Sequence, residues 1–157
     1  MQKFDLEKVK QFISDSSQES KIYIGADSER FKLNGVWHAD YCVAVIIHKD
    51  GKHGCKVFGD IARQKDFDAK PGRPALRLMN EVYMVHEMYE KLAEVIGERY
   101  VELHLDINPS ERHGSSCVVN QAIGYIRGAC NIIPQVKPQA FAASICADRL
   151  KGLLEAA

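Results

Sequence analysis

Four acidic residues stand in otherwise apolar surroundings: Asp27, Glu81, Asp106 and Asp148. Asp27 closes the β-rich run from Ile22 to Ala26. Alternation there puts Ile22, Ile24 and Ala26 on one face and Tyr23, Gly25 and Asp27 on the other. Gly25 removes a side chain beside Asp27, leaving space for a metal or a phosphate. Asp106 closes a second such run, in which Val101, Leu103 and Leu105 share a face opposite Glu102, His104 and Asp106. Glu81 belongs to a helical pattern whose apolar stripe is Leu78, Val82, Val85, Tyr89, Leu92 and Ile96. It falls about 60° from the stripe's centre, whereas Glu87, Glu90 and Glu94 fall at roughly 120° or more. Asp148 interrupts the small, apolar run from Ala140 to Ala147.

Each acid has a local explanation: Asp27 as a turn cap, Asp106 as the anchor of Asp-Ile-Asn-Pro, Glu81 paired with Arg77, and Asp148 paired with Arg149 or Lys151. Brought together from four separate segments, however, like charges repel unless a cation joins them. Hard carboxylate oxygens suit Mg²⁺ or Mn²⁺. Two such ions a few ångströms apart activate water and stabilise the leaving oxygen of a phosphodiester, which is nuclease chemistry without a protein nucleophile.

Positioning these acids requires a particular order of elements. Phe4 to Ile13 reads as a short amphipathic helix, followed by a polar break over Asp15 to Ser20. Ile22 to Ala26 reads as a strand ending at Asp27. Val36 to His48 and Cys55 to Ala62 form a hairpin around Asp50-Gly51, a strong turn signal. Lys65 to Arg73 is a polar loop, and a helix runs from Pro74 to Ile96 with Gly97 just past its end. Tyr100 to Asp106 is a strand, Ser115 to Cys130 a helix weakened by Gly124 and Gly128, Ile132 to Val136 a short strand, and Gln139 to Leu154 a last helix. Strands separated by helices need crossovers, so parallel pairs lie beside an antiparallel meander. If the first and fourth strands are parallel neighbours, Asp27 and Asp106 meet at their carboxyl ends, where open α/β sheets form ligand crevices.

Composition narrows the function classes. The chain has 157 residues, 46% hydrophobic and 27% charged, which fits one globular domain over residues 1–157 and excludes collagen-like, disordered and coiled-coil chains. The longest uncharged apolar run, Cys42 to Ile47, is far short of the roughly 20 residues of a membrane span. The N-terminus has no signal-peptide pattern, so a cytoplasmic location is expected. Lys+Arg and Asp+Glu both number 21, so contact with phosphate must come from local charge segregation or bound metal rather than bulk attraction. Five widely spaced cysteines, without a Cys-x-x-Cys pair, read as buried free thiols rather than disulfides or a zinc site. Gly-x-x-x-x-Gly-Lys-Ser/Thr is absent, which disfavours an NTPase.

Several pieces of the chain resemble the YkuK-type family of the ribonuclease H-like superfamily. They are Ile22-Tyr-Ile-Gly-Ala-Asp27-Ser28, His104-Leu-Asp106-Ile-Asn108-Pro109, the Ser116–Gly128 segment, and Val136-Lys137-Pro138 through Ala142-Ala-Ser144 to Ala147-Asp148. The resemblance implies an α/β ribonuclease H-like fold with a mixed five-stranded sheet (β-β-β-α-β-α-β-α), flanked by helices and preceded by a short extra N-terminal helix. It implies a nuclease that binds RNA or DNA, with Asp27 as the first-strand carboxylate shared by two Mg²⁺ or Mn²⁺ ions. Glu81 is then the helix carboxylate, Asp106 the fourth-strand one and Asp148 the acid of the last helix. Asp27 is followed by Ser28-Glu29 rather than the Gly-Ser common in true ribonuclease H enzymes.

Around this set, Ser28, Lys70, Arg73, Arg77, Lys137 and Ser144 are candidates for substrate contact. Lys65, Lys70, Arg73 and Arg77 make a basic approach to the helix of Glu81, and Lys137 precedes the last helix. His104 and His113 are candidate proton shuttles, and His104 has a packing role as its alternative. Trp37, Tyr41 and Phe58 read as core or cross-strand residues, with base stacking as the alternative. A homodimer or another partner would supplement the affinity of a neutral chain. The rival readings are a non-catalytic nucleic-acid- or protein-binding module on the same fold and an esterase for small phosphate esters.

Overall fold

Asn34 and Gly35 both take positive φ, 51° and 77°, in a two-residue turn joining Leu33 to Val36. Such turns match the twist of the strands they connect and hold them in register. The first strand, β1 (Lys21–Leu33), therefore runs on past Asp27 and pairs antiparallel with β2 (Val36–His48) along its whole length. The strand expected to end at Asp27 thus extends to Leu33, because Asn34-Gly35 is itself a strong hairpin signal. A 3-10 turn, Lys49–Gly51, leads out of β2, and β3 (Cys55–Lys65) returns along it.

The computed structural model describes residues 4–51, 54–68, 75–110, 118–146 and 148. Preceding the sheet is α1 (Leu6–Asp15), whose N-terminus is capped by the Asp5 carboxylate accepting from the Glu7 and Lys8 N–H groups. After β3 come α2 (Ala75–Ile96), β4 (Tyr100–Leu105) and α3 (Val119–Cys130), and residues 141–146 and 148 are helical again. The sheet order is β3-β2-β1-β4, with β4 parallel to β1 and the other pairs antiparallel.

Among the described residues the sheet has four strands rather than five. The segment expected to form the fifth touches β4 through one parallel bridge, Gln135 to His104. Gln135 N–H donates to Leu103 O at 2.8 Å, its carbonyl accepts from Leu105 N–H at 2.9 Å, and Lys137 N–H donates to Ile107 O at 3.0 Å. The next rung of a parallel ladder would need the Leu105 carbonyl, but it already accepts the Ile107 N–H at 2.8 Å, so the chain turns at Asp106 and the pairing does not lengthen.

One face of the sheet is covered by α2, which buries Leu78, Val82, Val85, Leu92 and Ile96 with Ile22, Ile24, Val45 and Leu103 in a single core. α1 adds Val9 and Ile13, and α3 adds Ala122 and Ile126. Arg99 joins the ends of α1 and α2, donating to the carbonyls of Ser16 (2.8 Å), Ser17 (3.1 Å) and Val95 (2.9 Å). The opposite face carries a smaller cluster of Cys42, Ala44 and Cys146 beneath the last helix. None of the described cysteines forms a disulfide; Cys42 and Cys146 are buried, but Cys130 is half-buried and Cys55 exposed, while Cys117 lies outside the described residues. Tyr41 is core, as expected, whereas Trp37 stays partly exposed with the Arg30 guanidinium 3.8 Å from its ring centre.

The last helix corrects the reading of Gly25. Its missing side chain does not open a metal or phosphate pocket: a Cβ there would lie 2.7 Å from Ala142 Cβ and 3.0 Å from the Ala143 nitrogen. Gly25 is there so that the helix can lie directly on β1. Gly25→Ala forces the two apart, and overpacking of this kind costs about 1–3 kcal/mol; a lower urea midpoint with unchanged slope is the expected result.

Candidate metal centre

The register of the parallel pair builds the centre. Ala26 is opposite Leu105, the last residue of β4, so Asp27 and Asp106 follow side by side where β4 ends and β1 continues. Glu81 comes from α2, which crosses the Ser28 side of the sheet. One carboxylate oxygen from each of Asp27, Glu81 and Asp106 lies within 4.8 Å of the other two. Residues separated by 54 and 25 positions thus converge on one point.

Each carboxylate is held differently. Glu81 is 3% exposed and accepts a hydrogen bond from the Ser28 hydroxyl. Arg77 Nη1 donates to the same hydroxyl at 2.8 Å and to the Ser28 carbonyl at 3.2 Å. Asp27 accepts from the Ser28 N–H at 2.8 Å and shares a side-chain hydrogen bond with Asp106. Lys137 Nζ lies 2.6 Å from Asp106 Oδ1. Asp68 is buried and caps α2, taking the N–H groups of Leu76 at 2.8 Å and Arg77 at 2.9 Å, which fixes the turn that carries Arg77. The sequence reading missed Asp68, because a polar segment with two prolines separates it from the helix it caps.

Crowding raises the proton affinity of two of these acids. Desolvation, then the hydrogen bond and charge of Asp106, push Asp27 up to about 8, against smaller opposing effects of the Ser28 N–H and Lys137. Burial pushes Glu81 well above the usual carboxylate range, with Asp27 adding repulsion and the Ser28 hydrogen bond opposing it. Carboxylates held this close, with oxygen as the only donor atom, are the environment in which a hard divalent cation relieves repulsion. The triad can hold a metal ion.

Asp148 is exposed and outside the triad. Ser144 is exposed, Lys137 reaches the triad, and Ser28 and Arg77 are tied to Glu81. Lys70, Arg73 and His113 lie outside the described residues.

His104 is fully buried. Its Nε2 is 2.8 Å from Glu102 Oε2 on the same strand, and its Nδ1 accepts the Ala142 N–H at 3.1 Å, which ties the last helix to β4. These bonds match the packing role named as the alternative to a proton shuttle. Burial holds the imidazole below its ordinary pKa, with Glu102 pulling the other way. A depressed histidine stabilises the fold above its unfolded value of about 6.5 and that contribution is lost as pH falls through the folded value. The stability difference between wild type and His104→Phe, from urea melts, is therefore expected to shrink between about pH 7 and pH 5.

The ribonuclease H-like family model matches residues 5–151. The chain belongs to the ribonuclease H-like family, in its YkuK type. No curated protein and no solved structure matches it. For a ribonuclease H-like chain, the mixed sheet, the flanking helices and a carboxylate triad at the end of the parallel pair are mutually consistent. Among the described residues, no helix is long and apolar enough to cross a membrane.

Proposed function

We propose that this ribonuclease H-like chain is a divalent-metal-dependent nuclease that hydrolyses phosphodiester bonds of RNA or DNA. The convergence of Asp27, Glu81 and Asp106 within 4.8 Å carries the reading. Mg²⁺ or Mn²⁺ bound by the three carboxylates supplies the Lewis acid that phosphodiester hydrolysis needs near neutral pH. The protein's own groups prepare the place. Ser28 and Arg77 hold the buried Glu81 in one orientation. Lys137, with its side chain 46% exposed, presents a positive charge at the solvent side of the triad, where it can meet a phosphate oxygen. Arg77 adds a second positive charge against Glu81.

The test compares polynucleotides with small esters. Labelled single-stranded, double-stranded and hybrid oligonucleotides are incubated with Mg²⁺ or Mn²⁺, alongside p-nitrophenyl phosphate and bis-p-nitrophenyl phosphate. Metal-dependent cleavage of at least one oligonucleotide, abolished by EDTA, is the expected result. Turnover confined to the small esters would point to the esterase, and no turnover of any substrate to a binding module. The exposed position of Asp148 is the observation that favours the module, because it leaves three acids where four were expected.

A further inference from the structure

Among the described residues, Lys137 brings a full positive charge directly onto an acid of the triad. Its backbone is fixed beside the end of β4 by the Lys137 N–H to Ile107 O bond of 3.0 Å, and its ammonium sits 2.6 Å from Asp106 Oδ1. Arg77 faces Glu81 from within α2, through Ser28. Among the described residues, three carboxylates against these two cations leave one formal negative charge. A single divalent ion turns that into one positive charge, which matches one phosphodiester. A second ion would leave three positive charges, a few ångströms apart in a site partly shielded from water, where repulsion is strong.

Space agrees with charge. Three oxygens mutually within 4.8 Å always have a point no more than about 2.8 Å from all of them (4.8 Å divided by √3), so modest contraction reaches the roughly 2.1 Å of a magnesium bond. A second ion about 3.5–4 Å away would need further ligands on the outer side. Among the described residues, Asp106 Oδ1 is already taken by Lys137, and Asp148 is not one of the carboxylates that converge.

We infer that, given the metal-dependent reading on which this rests, the centre takes one divalent ion per chain and Lys137 supplies the second positive charge that a partner ion would otherwise provide. Lys137 is then a resident cation, and the two-ion arrangement expected from the sequence reduces to one ion and one ammonium.

Mn²⁺ alone is the probe, titrated into wild type, Lys137→Met and Asp27→Asn by calorimetry and by electron paramagnetic resonance. Methionine keeps the aliphatic stem and removes the charge; circular dichroism confirms that each variant is folded. Wild type is expected to bind one Mn²⁺ with the six-line spectrum of an isolated ion. Lys137→Met is expected to gain affinity for a second ion by roughly tenfold or more, the direction set by removing one nearby like charge, with broadening from a coupled pair. Two coupled ions in wild type would overturn the inference while leaving the nuclease reading standing. One ion in both proteins, with no gain for the variant, would overturn the role of Lys137. No Mn²⁺ in wild type would sink the metal-dependent reading and the inference with it.

Discussion

Asp27→Asn lowers oligonucleotide cleavage on the order of a thousandfold or more, the scale of losing an electrostatic element that acts on the reacting phosphate. In the same variant, the metal-free protein melts higher than wild type at alkaline pH. The two effects share one cause. Asp27 is desolvated and set against Asp106, which raises its folded pKa from 3.8 to about 8. A carboxyl raised in this way stabilises the fold fully below its unfolded value, and the contribution is lost as pH climbs through about 8. Asparagine keeps the shape and the ability to accept the Ser28 N–H, but never acquires the charge. Cleavage assays and thermal melts in EDTA at pH 6 and pH 9 read both quantities. A variant that is inactive and also less stable at pH 9 would mark Asp27 as structural, and full activity would remove the proposed chemistry.

Mn²⁺ raises the melting temperature of wild type, and raises it more at pH 8 than at pH 6. At a thousandfold excess over the dissociation constant, binding only to the folded state stabilises by about 4 kcal/mol. The pH dependence follows from competition: Asp27 and Glu81 both hold protons more tightly than ordinary carboxylates, and a metal must displace them. As pH rises the metal-free fold loses stability while the metal has fewer protons to displace, so the gap between the two melting curves widens. Asp106→Asn narrows it. Equal shifts at both pH values, or identical melting of wild type and Asp106→Asn with metal, would favour a fold that serves as a binding module.

Much of the fold was legible because its signals are short-range. The apolar stripe Leu78, Val82, Val85, Tyr89, Leu92 and Ile96 named both α2 and the side it buries, Tyr89 being half-buried and the other five buried. Asp50-Gly51 marked the hairpin of β2 and β3, and Gly97, with φ of 56°, marked the end of α2. The fifth strand failed because its partner turns away: Ile132, Ile133 and Val136 have strand composition, but the Leu105 carbonyl of β4 accepts from Ile107 N–H and leaves a single bridge. Gly25 was recognised as unusual and given the wrong partner, since a missing side chain does not say whether a ligand or a helix takes its place.

For the site, residue types and periodicity singled out four acids, Asp27, Glu81, Asp106 and Asp148, because an acid among apolar neighbours is conspicuous, and only the first three converge. Whether those acids meet is a matter of strand register and of where α2 crosses the sheet, and these depend on packing among segments far apart in the chain. Tertiary structure alone brought the three within 4.8 Å, left Asp148 at the surface, turned His104 into the tie between β4 and the last helix, and set the Lys137 ammonium on Asp106. The physical reason is range: propensity and alternation act over a few residues, whereas charge, desolvation and metal affinity depend on distances that only the assembled sheet and helices establish.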